Sequence, residues 1–125
     1  MIKEDYVSFE TAKLLKEKGF DEKTMTYYED KILCNGDWCK WNRSPLGHTA
    51  APTHQMAMKW LREVYDLHII SYPYKVDNEE KANHWCCEVY KSFNLLGYEK
   101  YINETPKSYE EAVEAALKYS LENLI

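Results

Sequence analysis

The side chains best able to hold a metal or act as a nucleophile are Cys34, Cys39, Cys86 and Cys87, with His48, His54 and His84. Zinc needs four converging ligands, usually in short pairs such as C-x2-4-C. Cys34 and Cys39 have four residues between them. A hairpin turning at Asn35-Gly36 would set these two thiols diagonally on one face, roughly 7–8 Å apart. With His48 they form the best metal set. A second pair of matching geometry is missing, so small unligated thiols are the preferred reading and no cofactor is expected. Cys86 and Cys87 are adjacent and project to opposite faces of a strand, poor geometry for a bridge between them. His84 and Cys86 share a strand face automatically, so their proximity says little. A cysteine nucleophile also needs a base held against it and an oxyanion hole. The glycines at 19, 36, 47 and 97 are isolated, unlike the clustered glycines of a phosphate-cradling loop. No catalytic residues are assigned.

A second chemistry is stacking and charge. Trp38, Lys40, Trp41, Arg43, Lys59 and Arg62 could form a small aromatic and basic surface. Such surfaces stack the bases of single strands. The chain carries 16 Lys+Arg against 21 Asp+Glu, a net charge of −5. Phosphate-backbone binding relies on clustered bases, so this balance argues against nucleic acid as the main partner. Pro52-Thr53-His54-Gln55 opens a helix whose free N–H groups could meet an anion. The preferred reading is simpler: Thr53 caps the helix.

The 125 residues are about one domain's worth of chain, and one domain over residues 1–125 is expected. Apolar runs are far shorter than the ~20 residues of a membrane span. Met1-Ile2-Lys3-Glu4-Asp5 lacks the basic-then-apolar pattern of a secretory signal, so a cytoplasmic location, with reduced cysteines, is expected. There are 4 Trp, 11 Tyr and 3 Phe, too many to bury entirely, since each Tyr hydroxyl wants water or a partner.

Three helices must position these groups. Ser8 caps a stripe of Phe9, Ala12 and Leu15 that stops at Gly19, giving a helix over Ser8–Lys18. Thr53 opens a second, with Met56, Ala57, Trp60, Leu61 and Val64 on one face and an end near Asp66. Ser108 and Glu111 form a capping box for a third helix, Ser108–Asn123. There Glu114 and Lys118 are spaced for an i,i+4 ion pair. Strands are predicted over Thr24–Tyr28, Lys31–Cys34 and Asp37–Trp41, with Asn35-Gly36 as the turn. That register opposes Leu33 to Trp38. Residues 42–51 read as a loop. Leu67–Tyr72 and His84–Phe93 are strands, with Pro73 at an edge or in a bulge, 76–82 a connection and Tyr98–Ile102 a weak strand. The economical fold is α+β: two layers, an antiparallel sheet of about four to five strands with three helices, in the order α-β-β-(β)-α-β-β-α.

Val7-Ser8-Phe9-Glu10-Thr11-Ala12-Lys13-Leu14 with Lys18-Gly19-Phe20-Asp21 and Tyr27-Tyr28 forms one block. Ala51-Pro52-Thr53-His54-Gln55 with Lys59-Trp60-Leu61-Arg62-Glu63 forms a second, and Tyr109-Glu110-Glu111-Ala112 a third. Together they resemble a family of small proteins encoded in phages and mobile elements of gut bacteria. The resemblance implies a setting, a phage-type accessory protein in bacterial cytoplasm, and brings no site residues with it. The sequence therefore points to a non-enzymatic accessory protein that binds a protein partner or itself, with no membrane association. The alternatives are a weak single-stranded nucleic-acid binder using Trp38, Lys40, Trp41, Arg43, Lys59 and Arg62, and a zinc-stabilised module using Cys34, Cys39 and His48.

Overall fold

The structure, a computed structural model, describes residues 1–74, 84–91, 98–101 and 108–125. The connection expected over 76–82 lies outside the described residues, as do Phe93 and most of 94–106. The fold is α+β. The helices are α1 (Phe9–Glu17), α2 (His54–Tyr65) and α3 (Tyr109–Asn123), with a short 3-10 turn at Trp41–Arg43. The strands are β1 (Thr24–Glu29), β2 (Ile32–Cys39), β3 (Thr49–Ala50), β4 (Leu67–Tyr74), β5 (His84–Lys91) and β6 (Tyr98–Tyr101). They form two small antiparallel sheets, ordered β2-β1-β3 and β4-β5-β6, rather than the one sheet expected.

Each helix starts where its cap places it. The hydroxyls of Ser8, Thr53 and Ser108 accept hydrogen bonds from the N–H groups of Thr11, Met56 and Glu111. These bonds satisfy N–H groups that have no partner within the helix. The α1 helix ends at Lys18, and Gly19 (φ +96°) turns the chain so that Phe20 packs edge-on against Trp60. From α2, the Tyr65 hydroxyl donates to the Lys18 carbonyl at 2.8 Å, closing the same helix end.

The first sheet departs from the expected register. The hairpin turns at Asp30-Lys31, both in the left-handed region (φ +48° and +64°), and Ile32 pairs with Glu29. Two positive φ values match the twist of a two-residue hairpin. Asn35-Gly36 is not the turn; it lies inside β2, and Leu33 opposes Tyr28 rather than Trp38. Packing explains the change. A Cβ at Gly36 would stand 2.5 Å from Trp41 Cζ2 and 2.9 Å from Tyr27 Cε1. The glycine is spent on that close approach. Beyond it the ladder bulges: Thr26 pairs with Asn35 but Thr24 with Cys39, so Gly36, Asp37 and Trp38 stand opposite Met25 alone. The expected loop over 42–51 also contains β3, which joins the far side of β1.

Pro73 falls in β4, an edge strand as its missing N–H requires. Pairing of β4 with β5 puts Val89, Cys87 and Trp85 on one face with Leu67, Ile69 and Ser71. The α3 helix covers that face and also packs on α1. Val7, Leu15, Phe20, Trp60, Leu61, Leu67, Cys87, Val89, Val113, Leu117 and Leu121 belong to one continuous core. Each large side chain in it contributes roughly 1.5–3 kcal/mol relative to exposure. No helix among the described residues is long and apolar enough to cross a membrane.

Candidate functional site

The α2 helix does not bury its whole apolar stripe. Ala57, Trp60 and Leu61 are buried, and so are His54 and Met58 on the neighbouring flank. The helix is thus rolled toward His54, leaving Met56 half-buried and Val64 55% exposed. The bulge in β2 swings Trp38 into the space these two leave. Its side chain is 55% exposed, beside Met25 at 57%. Two depressions meet at Trp38 and Met56. One, about 370 Å³, is lined by Lys23, Lys40, Lys59, Glu63, Trp60 and Val64 among others. The second, about 300 Å³, is lined by Tyr6, Met25, Thr26, Asn35, Pro52 and Thr53 among others, with no charged side chain in its wall. The two adjoin as a groove with an uncharged lobe and a charged lobe, Trp38 and Met56 lining both.

The groove gathers three of the six residues proposed from sequence: Trp38, Lys40 and Lys59. Trp41 is structural. It stacks on Tyr27 with centroids 3.9 Å apart, and its Nε1–H donates to the carbonyls of Thr24 and Asp37. Arg43 is bound to Asp21, its Nε donating to Oδ1 at 2.8 Å, and Lys40 reaches the same carboxylate at 3.5 Å. The hydrogen bond from Arg43 is the largest effect on Asp21 and holds its carboxyl below the usual range, with Lys40 adding to it. Lys59 stands 4.0 Å from Glu63. Arg62 does not line the groove. Lys40 and Arg43 thus share one carboxylate, and Lys59 stands beside Glu63.

The proposed metal set does not assemble. Among the described residues, no three His, Cys, Asp or Glu side chains are grouped so as to hold a metal. The hairpin that would have set Cys34 diagonal to Cys39 turns elsewhere, so the two lie five positions apart on one strand. His48 is buried against Tyr27 and Trp41, with Nδ1 2.9 Å from the Ser44 hydroxyl. Cys87 is inert: burial pushes its thiol up to about 11, and the thiol donates to the Ala112 carbonyl. The start of α2 is likewise occupied. Thr53 accepts from Met56 N–H, and the His54 N–H donates to the Asp5 carbonyl at 2.9 Å.

Sequence reasoning missed Glu114. It does not pair with Lys118, which stands 4.0 Å from Glu122 instead. It turns inward to accept from the Ser8 N–H at 2.9 Å, the Ser8 hydroxyl at 3.0 Å and the Thr11 hydroxyl, with His54 Nε2 at 3.0 Å. One carboxylate thereby joins all three helices. Burial alone would raise its pKa. The hydrogen bonds from His54, Thr11 and Ser8 outweigh that and hold it below the ordinary glutamate value. Its four donors make this a structural clasp, with no lone pair left facing a substrate.

Comparison with family models, with curated proteins and with solved structures finds no match to this chain.

Proposed function

We propose that this chain is a non-enzymatic accessory protein, of the phage or mobile-element kind its sequence blocks resemble, and that it binds another protein in the groove at Trp38. The observation that supports this is the apolar exposure of Trp38, Met25 and Val64, with half-buried Met56 and Trp38 lining both depressions. Exposed apolar patches rimmed by polar groups mark interaction surfaces, and tryptophan is the residue most enriched at their energetic centres. The fitting ligand is an extended segment with an apolar side chain for the uncharged lobe. An acidic residue a few positions away would meet Lys23 and Lys59. Nucleic-acid binding is the weaker reading, because Asp21 already engages both Lys40 and Arg43. The test is peptide binding to the wild type and to Trp38→Ala. Loss of at least tenfold in affinity is expected, equivalent to roughly 1.4 kcal/mol or more. Unchanged affinity would reject the groove as the site.

A further inference from the structure

The uncharged lobe of the groove keeps few side-chain polar groups for a ligand. The hydroxyls of Thr24 and Thr26 donate to the carbonyls of Thr26 and Ala51, and that of Thr53 accepts from the Met56 N–H. Three groups of the wall remain, all neutral: the Asn35 carboxamide, the Tyr6 hydroxyl and the Trp38 indole N–H. Among the described residues, none hydrogen-bonds to these three side chains.

Asn35 is the one that its own strand does not explain. Asparagine is depleted in strands, where its side chain competes for backbone hydrogen bonds. The rings of Trp41 and Tyr27 account for Gly36 beside it. Asn35 pairs with Thr26, and both line the lobe. Trp38, three residues on, would face the other way in a regular strand. The bulge between them breaks the alternation, so both side chains line one wall. The carboxamide is therefore exposed, unengaged and carried on a strand rather than a loop.

We propose that Asn35 clamps the main chain of the segment bound in the groove, which rests on the groove at Trp38 being the binding site. Its Oδ1 accepts from the N–H of one ligand residue, and its Nδ2 donates to the C=O of the same residue. A carboxamide holds an acceptor and a donor side by side in one plane. An extended residue turns its N–H and C=O to the same side, as it does toward an antiparallel neighbour. The two sets match without burying a charge. A phosphate or carboxylate group offers acceptors alone and uses half of the amide. An adenine edge does carry a donor beside an acceptor, but a net charge of −5 disfavours the phosphates that come with it. The ligand must then have backbone groups not already paired. The groove takes an extended, unpaired stretch of chain, not a helix or the inside of a sheet.

The probe is the tightest peptide selected from a random library on the immobilised protein, titrated against wild type, Asn35→Ala and Trp38→Ala. Methylating its backbone nitrogens one at a time removes one donor at each position. At one position the wild type is expected to lose roughly threefold to tenfold in affinity, the worth of one hydrogen bond. Asn35→Ala is expected to lose nothing further there. The unmodified peptide should also shift the Asn35 side-chain NH2 resonances of the wild type, so the test stands even if Asn35→Ala fails to fold. No loss at any position, equal losses on wild type and Asn35→Ala, or unmoved Asn35 resonances would each overturn the clamp. If Trp38→Ala still weakened binding, the groove would stand without it. A selection that enriches nothing, a peptide indifferent to Trp38→Ala, or oligoadenylate moving the Asn35 resonances in the peptide's place would overturn both.

Discussion

His54 Nε2 lies 3.0 Å from Glu114 Oε1, joining the first turn of α2 to the middle of α3 across 60 residues of sequence. The other carboxylate oxygen holds the hydroxyls of Ser8 and Thr11 at the start of α1. The starts of α1 and α2 are thereby fixed to the middle of α3 by one side chain.

Glu114→Gln should destabilise the protein, because an amide NH2 meets groups that already donate. The expected cost is roughly 1–3 kcal/mol, read from urea unfolding at neutral pH. The pH dependence carries its own signature. The folded pKa of Glu114 lies below its ordinary 4.5. The stability it contributes is therefore full above that ordinary value and is lost as pH falls through the lowered folded value. Glu114→Gln should lack this part of the acid limb. An unchanged acid limb would mean the carboxylate is not the clasp.

Gly36→Ala tests the reassigned glycine. Trp41 cannot retreat freely, since its Nε1–H is bonded to two carbonyls and its ring stacks on Tyr27. Overpacking there should cost roughly 1–3 kcal/mol. The Tyr27–Trp41 contact should change in near-ultraviolet circular dichroism. A neutral substitution would contradict the packing reason given for the hairpin's position.

Asp21→Asn should release Lys40 and Arg43 from their shared carboxylate. Binding of a labelled single-stranded oligonucleotide at low salt, read by fluorescence anisotropy, should rise above wild type and fall steeply with added salt. No rise would show that these two bases do not face a common surface.

Cysteine reactivity should separate by burial. Cys34 and Cys39 are partly exposed, while Cys86 and Cys87 are buried. In the native protein iodoacetamide should label Cys34 and Cys39 first. Cys87, its thiol raised to about 11, should react on the timescale of unfolding, because the thiolate is the reacting species. Mass spectrometry of the labelled peptides reads the order.

The helices were legible because their signals are local: Ser8, Thr53 and Ser108 each bond to an N–H three residues on. The first hairpin was not. Asn35-Gly36 is the stronger turn dipeptide, and only the distant ring of Trp41 makes that glycine more useful inside a strand. Glu114 was misread for a related reason. An i,i+4 partner can be counted along the helix, whereas its partners Ser8 and His54 lie 106 and 60 residues away. At the groove, the residue types Trp38, Lys40 and Lys59 were legible. Its apolar walls were not, because they depend on how far α2 rolls toward His54 and so exposes Met56 and Val64.

Selection of random peptides on the immobilised protein, followed by titration of the enriched sequences, tests the groove most directly. Enriched peptides should combine an apolar residue with a nearby acid. They should shift the Trp38 indole and the Met25 and Met56 methyl resonances, and lose at least tenfold in affinity on Trp38→Ala while the circular dichroism of that variant stays native. Enriched peptides that bind wild type and Trp38→Ala equally, or that shift resonances elsewhere, would contradict it, as would a selection that enriches nothing.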